Sequence, residues 1–414
     1  MKKYLFILLI SLMTGLIYAP KVVASNPSQS NKAENHTPTN ATIEITYQGT
    51  WPAAAQTALE YAANIWEPLV DSTLPIKIIA TWGTPFNTPL ASTLILSYVK
   101  SNSLPISYAY YPRSLANAIL GSTSCPTCDD MELTFDSSLP NWYFGTDGQP
   151  TGTQYDFVTV ALRQIGLGLG FSHSFAYYPQ NGTGQWGTPT YPRIYDLFLF
   201  NGSNQQLIDT SVFPNPSTDL YAQMISNNIF FSGPLTLAAN NNNPAKLYAP
   251  ASWGADSFTN LDEATYPTGT TNGLITPVIQ PGEVIHHPGS LTLAILQDMG
   301  WPRPNLTPTF AELPDQFVLM NTVRNNAIDL WAYVNDDDPD NQLVFQIINT
   351  PAAGAGITLN SNRYIDINPT FNWVGQTTVI VRVTDPAQAS SNDSFSVTVV
   401  DLPFSFYLPN IQQP

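Results

Sequence analysis

The spacing of apolar positions divides the chain into a part that mixes strands with helices and a part made of strands alone. "ATIEITYQG", which begins at Ala41, alternates with a period of two and predicts a β-strand. "WPAAAQTALEYAANIWEPLV" repeats its apolar residues at helical spacing, while "LPIKIIATWG" and "DDMELTFDSS" predict two further strands. The buried stripe of this helix is predicted to consist of Ala54, Ala58, Tyr61, Ala62 and Ile65.

Two more apolar stretches predict helices in the same part of the chain. "YDFVTVALRQIGLGLG", residues 155–170, is apolar enough for a buried helix, and "SLTLAILQDMGW", residues 290–301, ends at a Gly-Trp-Pro stop. Strands and helices in this order favour an α+β domain. We assign this domain to residues 41–301.

The pattern changes after Trp301. Residues 302–316, "PRPNLTPTFAELPDQ", are proline-rich and predict a linker. Residues 317–401 contain short apolar runs at regular spacing, among them "AIDLW", "LVFQII", "TTVIVRV" and "SFSVTVV". Such runs are typical of an all-β sandwich of Ig-like size. Residues 402–414 remain as a short tail.

The first residues carry the features of a secretory signal peptide. "MKKYLFILLISLMTGLIYAPKVVAS" has two lysines, an apolar run and small residues at the spacing for cleavage, which predicts a signal peptide at residues 1–24. The alternative is a membrane anchor, but the run is short and Gly15 and Pro20 interrupt it. Residues 25–40 are polar without periodicity and predict a disordered leader. We therefore expect a secreted or cell-surface protein with no membrane span after cleavage.

The charge balance argues against nucleic acid as a partner. The chain has 14 Lys and Arg against 30 Asp and Glu, a net charge of −16, and would repel phosphate backbones. Only 11% of the residues are charged, and 36 Pro and 24 Gly suit a secreted protein rich in strands and loops.

The two cysteines, Cys125 and Cys128, stand in "STSCPTCDDMEL". In a secreted protein this spacing favours a small disulfide. A redox motif is weaker, because the acids that follow would raise the thiol pKa. A zinc site would need two more ligands nearby, and none are evident.

The stretch "ALRQIGLGLGF" poses the main question about function. It does not suit a dinucleotide loop, because the residues after its glycines are a loop and not a helix. Close packing at a helix end would explain Gly166, Gly168 and Gly170, since glycine inside a helix costs up to ~1 kcal/mol. Positions 163, 164 and 167 also have the spacing at which a zinc helix carries His, Glu and His.

The frame "ALxxIGxGLGF" resembles the secreted zincin metallopeptidases, in particular bacterial relatives of the leishmanolysin type. Other parts of the resemblance are "WYFGTDG" at residues 142–148, Tyr155 and Asp156 with Thr159 and Val160 before the helix, and "AILQDMGW" at residues 294–301. The resemblance runs from about residue 43 to residue 301 and implies a zincin fold.

Two further sites follow from the resemblance alone. Members of this family carry their third zinc-binding histidine in a segment that is "FTNLDE" here, which puts Asn260 at that position. They also have a turn whose methionine lies beneath the metal, and here "GLITP" puts Ile275 at that position.

The residues at these positions cannot perform the zinc chemistry. Arg163, Leu167 and Asn260 replace the three histidines, and Gln164 replaces the general base. Arginine is never a neutral donor, leucine has no donor atom and glutamine cannot accept a proton. We therefore expect no catalytic residue, no zinc and no other cofactor in this domain. The histidines of the chain are His36, His173, His286 and His287.

Arg163 is expected to take the place of the metal's positive charge. We predict that it points toward the former metal position and pairs with Asp262, Glu263 or a ligand carboxylate. The alternative is that its guanidinium extends into solvent.

The C-terminal part, with "AYVNDDDPDNQLVFQI" and "GQTTVIVRVTDPAQASSNDSFSVTVV", resembles cadherin-like or Ig-like modules of bacterial surface proteins. The resemblance implies a calcium site with hard oxygen ligands, and the alternative is a solvated acidic turn. The residues that could hold calcium are Asp336, Asp338, Asp340 and Asp385.

Three functions are compatible with the sequence. The first is a secreted, catalytically inactive metallopeptidase homologue that binds a peptide, protein or cell-surface ligand. The second is an active zinc peptidase with another ligand set, such as His173 with His286 or His287. The third is a structural or adhesive surface protein.

Overall fold

The computed structural model describes residues 40–85, 90–187, 191–336, 338, 340–386 and 388–401. The predicted signal peptide (1–24), the leader before Asn40, with His36, and the tail (402–414) lie outside these residues. Within the described part of the chain, no helix combines the length and the hydropathy that crossing a bilayer requires.

The first elements build a four-stranded sheet with helices packed against it. In chain order they are β1 Ile43–Gln48, α1 Ala53–Trp66, β2 Ile76–Gly83, β3 Ala91–Ile95, β4 Tyr98–Val99, β5 Tyr111–Pro112, α2 Arg113–Leu120, β6 Met131–Asp136, β7 Trp142–Tyr143, β8 Tyr155–Asp156 and α3 Phe157–Leu169. The sheet order is β1-β2-β6-β3. Strands β1, β2 and β6 are parallel, and β3 pairs antiparallel with β6 at one edge.

Helices α1 and α3 pack against each other through a tryptophan. Trp66, at the end of α1, is fully buried and its indole Nε1 donates to the Leu162 carbonyl of α3 at 2.9 Å. The predicted stripe of α1 was wrong by about one residue, because Ala54 and Tyr61 are exposed. The residues that α1 buries are Ala55, Ala58, Leu59, Ala62, Ala63 and Trp66. Burial of Trp66 over α3 sets the helix rotation, which the alanine-rich sequence by itself leaves loosely defined.

Short elements complete this part of the chain around the same core. They are β9 Ala176–Tyr178, β10 Thr183–Gln185, β11 Leu199–Asn201, α4 Thr218–Met224, β12 Ile229–Phe231, α5 Pro234–Ala239, β13 Ala245–Lys246 and α6 Ser290–Asp298. Two 3₁₀ turns cover Glu67–Leu69 and Ile194–Phe198. One hydrophobic core extends from Ala41 to Trp301. The mixed helix and strand content predicted for this part is therefore confirmed.

The C-terminal part is a β-sandwich with its own hydrophobic core, from Leu313 to Val399. Its strands are β14 Thr309–Phe310, β15 Gln316–Leu319, β16 Arg324–Asp329, β17 Val334–Asn335, β18 Val344–Ile347, β19 Ile357–Asn360, β20 Tyr364–Ile367, β21 Gly375–Thr384 and β22 Ser390–Val400. Three 3₁₀ turns cover Leu330–Ala332, Asp340–Gln342 and Ala353–Ala355.

The two main sheets of the sandwich have the orders β15-β22-β21-β18 and β16-β20-β19. The segment predicted as a linker, residues 302–316, is partly structured. It contains β14, which pairs with β17, and the first residue of β15. The sequence pattern did not predict β14, because a strand of two residues shows no periodicity.

Candidate ligand-binding site on helix α3

The start and end of α3 are fixed by side chains that the sequence supplies locally. Asp156 is fully buried at the N-cap, and its Oδ2 accepts the Thr159 amide at 2.8 Å and the Thr159 hydroxyl at 2.7 Å. Gly170 caps the C-terminus with a φ of 154°, a conformation that favours glycine. Every α3 residue except Leu167 is buried, and Leu167 is half-buried.

The glycines of α3 lie where other side chains press against the helix. A β-carbon at Gly166 would lie 2.9 Å from Cζ2 of Trp66 and 3.1 Å from Cδ1 of Ile275. A β-carbon at Gly168 would overlap the sulfur of Met131. These glycines are packing positions, as the cost of glycine in a helix suggested. Ile275, the residue at the methionine position of the resemblance, thus lies against the helix.

Arg163 is buried inside this region and bonded to neutral partners. Its side chain is 7% exposed, so the predicted alternative of a solvent-exposed guanidinium is wrong. Its Nη2 donates to Oδ1 of Asn260 at 2.6 Å, and its Nε donates to the Thr276 carbonyl at 3.0 Å. Residues 163 and 260, which the resemblance puts at two zinc-ligand positions, are therefore in direct contact.

The predicted pairing of Arg163 with Asp262 or Glu263 was wrong. Asp262 lies 3.5 Å from Lys246 Nζ and accepts the Thr265 hydroxyl, and Glu263 accepts the Thr268 hydroxyl at 3.0 Å. Burial lowers the pKa of the Arg163 guanidinium, while the charges of Asp256, Glu263 and Glu283 act in the opposite direction. The acids therefore compensate the buried charge from a distance, and the amide and carbonyl groups make the contacts. Sequence adjacency to Asn260 could not show which way these side chains turn.

Gln164 faces the edge strand of the sheet. The hydroxyl of Thr93 on β3 lies 2.6 Å from Oε1 of Gln164 and 3.0 Å from the Gln164 carbonyl. A hydroxyl carries one hydrogen, so it donates to one of these oxygens at a time. Gln164 is 2% exposed and ties α3 to β3. The sequence did not single out Thr93, and only its place in an alternating strand could have drawn attention to it.

The charges of two carboxyl groups, Glu263 and Glu283, act on Arg163 without a direct hydrogen bond to it among the described residues. Glu283 is 5% exposed, and one oxygen of each of Glu263 and Glu283 is buried without a hydrogen-bond partner among the described residues. Burial raises the pKa of Glu283, and the charge of Glu263 raises it further. Together with Asp256 they make the surroundings of Arg163 acidic.

The histidines of the described residues are engaged in local hydrogen bonds. His173 Nε2 lies 2.8 Å from the Ser257 carbonyl, and Nδ1 accepts the Phe175 amide at 3.1 Å. Burial lowers the pKa of His173 to about 4, and the charge of Arg193 acts in the same direction. His286 Nε2 contacts Oδ2 of Asp156 at 2.8 Å, and His287 Nδ1 accepts the Gly289 amide at 3.0 Å. Among the described residues, no histidine belongs to a group of three metal-ligating side chains.

The two cysteines form a disulfide, Cys125–Cys128, as the sequence predicted. It closes the turn that leads into β6.

Three of the four acids predicted for calcium lie together in the sandwich. Ligand oxygens of Asp336, Asp338 and Asp385 are within 4.8 Å of one another, whereas Asp340 starts a 3₁₀ turn outside this group. Asp385 is 1% exposed, and its oxygens accept the Ala389 amide and the Asn305 side-chain amide. Asn305 was not recognised in the sequence, because it lies 80 residues away in the segment taken as a linker.

Comparison with known proteins identifies only the C-terminal module. Residues 305–400 match the family described as "Bacterial Ig domain". No curated protein matches the chain. The predicted Ig-like nature of the C-terminal sandwich is therefore confirmed, and Ig domains of this kind are typical of extracellular proteins.

Several solved structures are similar to part of the chain. Protocadherin gamma B7 extracellular domains 1–4 are 19% identical over 24% of this chain and 25% of that chain, with a TM-score of 0.20. Human mucin-like protocadherin EC1-2 is 18% identical over 24% of this chain and 54% of that chain, with a TM-score of 0.20. The PKD domain from the KIAA 1837 protein is 18% identical over 23% of this chain and 87% of that chain, with a TM-score of 0.18. The chain spans less than two thirds of the two protocadherin fragments.

Proposed function

We propose that residues 41–301 are a catalytically inactive relative of the secreted zincin metallopeptidases that binds an extended peptide beside α3. The observation that carries the proposal is the 2.6 Å contact between Arg163 and Asn260. These residues are 97 positions apart in the sequence, and only the resemblance to the zincins associates them. The contact of Ile275 with Gly166 supports the same resemblance.

The residues at the zinc positions do not fit zinc. A tetrahedral zinc site needs neutral imidazole, thiolate or carboxylate ligands. Here a guanidinium and an amide are hydrogen-bonded to each other, and Leu167 provides no donor atom. Gln164, at the position of the general base, is bonded to Thr93. We therefore infer no metal-assisted hydrolysis at these positions.

The edge strand β3 is the part of this region best suited to hold a peptide. Among the described strands it pairs with β6 alone, and it contacts α3 through Thr93. Ala91 and Ser92 at its start have other partners, so we place the peptide along residues 93–96. Leu94 is 58% exposed on this strand, and Leu96, which follows it, is 39% exposed. An extended peptide adds to such an edge by main-chain hydrogen bonds, and exposed apolar side chains supply contact area. Bacterial Ig domains generally mediate protein interactions, which fits a secreted or cell-surface binding protein.

The test of binding uses a fluorescein-labelled octapeptide of alternating threonine and valine. We expect its fluorescence anisotropy to rise on titration with the protein. Leu94→Ser should weaken binding roughly tenfold, because a buried leucine contributes about 1.5–3 kcal/mol. Val344→Ser is the matched control, since Val344 is 50% exposed on an edge strand of the sandwich. Equal affinity of both variants and the unmodified protein, or no binding at all, would contradict the proposal.

The test of inactivity is metal analysis together with peptide cleavage. We expect no stoichiometric zinc and no chelator-sensitive cleavage of casein. Recovery of a site should require Arg163→His, Gln164→Glu, Leu167→His and Asn260→His together, because any single change leaves the ligand set incomplete. Stoichiometric zinc with cleavage by the unmodified protein would instead favour an active peptidase with another ligand set.

A structural or adhesive role through the Ig-like module is the second candidate function. It is favoured by the match of residues 305–400 to bacterial Ig domains. Full adhesion by a protein that lacks residues 41–301 would support it over the first proposal.

A further inference from the structure

Two segments beside the end of β3 are joined by a pair of reciprocal cation–π contacts. The Arg193 guanidinium carbon lies 4.1 Å from the centre of the Tyr98 ring. Lys100 Nζ lies 4.4 Å from the centre of the Tyr191 ring. Each segment thus contributes one cation and one ring. Tyr98 and Lys100 are two positions apart in the sequence, and so are Tyr191 and Arg193. We call Tyr98, Lys100, Tyr191 and Arg193 the basic aromatic surface.

Neither cation of this surface has a carboxylate as a hydrogen-bond partner among the described residues. Lys100 Nζ donates to the Ser107 carbonyl at 3.5 Å, and Arg193 Nη1 donates to the Ser172 hydroxyl. The acid whose charge acts on Arg193, Asp196, is fully buried, and its oxygens accept from Ser174 and from the Arg193 amide. Both cations therefore keep donor groups for which none of the described residues is the acceptor. In a chain with a net charge of −16, these two cations form a positive surface without a carboxylate partner in the part of the chain that the structure describes.

The basic aromatic surface is continuous with the proposed peptide site. Tyr98 begins β4, three residues after the last residue of β3. Its hydroxyl lies 2.6 Å from the Ser172 hydroxyl, and Ser172 is two residues past Gly170, the C-cap of α3. The surface is also accessible, because Lys100 is exposed and Tyr191 is 39% exposed. The basic aromatic surface therefore follows the C-terminal end of β3 along the chain.

We propose that the basic aromatic surface binds an aspartate or glutamate side chain of the peptide that lies along β3. The inference rests on the proposed function and adds an acidic residue to the description of the ligand. A guanidinium has five donors in a planar fork that matches a carboxylate, and stacking on Tyr98 holds that plane in place. Lys100 adds a second positive charge on the same surface. The ring contacts restrict the conformations of both cationic side chains in the unbound protein, which reduces the conformational entropy lost on binding.

The experiment compares labelled Thr–Val octapeptides that carry one glutamate with the same peptides carrying glutamine. The substitution is made at each of the eight positions in turn, and affinity is measured by anisotropy at low salt. We expect glutamate at one end of the peptide to bind about fivefold more tightly than glutamine, which corresponds to ~1 kcal/mol. Lys100→Gln and Arg193→Gln should each reduce this preference, measured for each variant as the ratio of its affinities for the glutamate and glutamine peptides. Arg324→Gln, an exposed arginine of the sandwich, is the matched control.

The outcomes separate this inference from the proposed function. Binding of the glutamine peptides with no gain from glutamate at any position overturns the inference and leaves the peptide site standing. A glutamate preference that persists in Lys100→Gln and in Arg193→Gln also overturns it. No binding of any peptide overturns both. If Arg193→Gln fails to fold, the exposed Lys100→Gln variant alone decides, because its side chain is not part of the core.

Discussion

Two arginines differ in how their positive charge is accommodated, one in the helix-bearing part (residues 41–301) and one in the β-sandwich. Arg163, in the helix-bearing part, is 7% exposed and hydrogen-bonded to the neutral groups of Asn260 and Thr276. Arg363, in the sandwich, forms a two-bond pair with Asp329, at 2.8 and 2.6 Å, and both side chains are about one third exposed. Arg363 also lies over the rings of Trp331 and Tyr364.

The same contrast extends to the two cores. The polar or charged residues buried in the described sandwich, from residue 305 on, are Gln316 and Asp385. The helix-bearing part buries many more, including Asp156, Arg163, Gln164, Asn260 and Glu283 around one helix. Buried polar networks are costly unless every member is satisfied, and they then specify one arrangement of the core. The concentration of such groups around α3 is therefore the physical reason to look for function there.

The largest expected effect comes from removing the buried arginine. Arg163→Ala should lower the free energy of unfolding of the helix-bearing part by about 3 kcal/mol, because it leaves two buried acceptors without a donor and opens a cavity. Arg363→Ala should cost much less, as expected for a partly exposed pair. Urea titration followed by hydrogen exchange of peptides from each core measures the two parts separately. A loss below about 0.5 kcal/mol for Arg163→Ala would contradict its role in the core.

The next effect concerns the partner of Arg163. Asn260→Ala should destabilise the helix-bearing part by about 2 kcal/mol, because a guanidinium donor loses its acceptor in a buried position. Asn392→Ala is the matched control, since the exposed Asn392 accepts from Arg382 Nε at 3.1 Å. The same urea titration measures both variants. Equal losses for the two asparagines would mean that burial around Arg163 has no energetic consequence.

A smaller effect should appear with pH. His173 has its pKa lowered to about 4, so below the ordinary value near 6.5 the unfolded chain binds a proton that the folded chain does not. Stability from this group is therefore complete above pH 6.5 and is lost as pH falls toward 4, at no more than about 1.4 kcal/mol per pH unit. Asp196, whose pKa burial raises to about 6, acts in the opposite direction, so single variants must be compared.

The measurement is the difference in unfolding free energy between the unmodified protein and His173→Gln from pH 4 to pH 8. We expect the difference to shrink as pH falls through this range, because glutamine does not titrate. A constant difference between pH 4 and pH 8 would contradict neutral burial of His173.

The smallest expected effect tests the calcium site of the sandwich. Calcium added to chelator-treated protein should raise the melting temperature of the sandwich by a few degrees, because about 1 kcal/mol shifts a domain of this size by about 4–8 °C. Asp338→Asn should remove the shift, and Asp401→Asn, at the exposed end of the last strand, should leave it intact. No shift in the unmodified protein would favour the solvated acidic turn.

Local pattern predicted β1 and α3 but not β3, the strand of the proposed peptide site. The period of two in "ATIEITYQG" and the apolar run before Gly170 correspond to β1 and α3. The four-residue spacing of Arg163 and Leu167 puts both on one face of the helix, which the sequence alone shows. The resemblance associated Asn260 with that face. The sequence pattern predicted the wrong buried face for α1, because the packing of Trp66 on α3 determines the rotation of that helix.

What the sequence determined by itself was the main elements β1, α1, β2, β6, α3 and α6, the disulfide and the Ig-like module. These depend on residue type and on spacings of a few positions, which local geometry fixes. The tertiary structure alone decided that Arg163 is buried, that its partners are Asn260 and the Thr276 carbonyl, and that Thr93 contacts Gln164. Those contacts join residues 71 to 113 positions apart, so they depend on how the whole core packs and not on any local pattern.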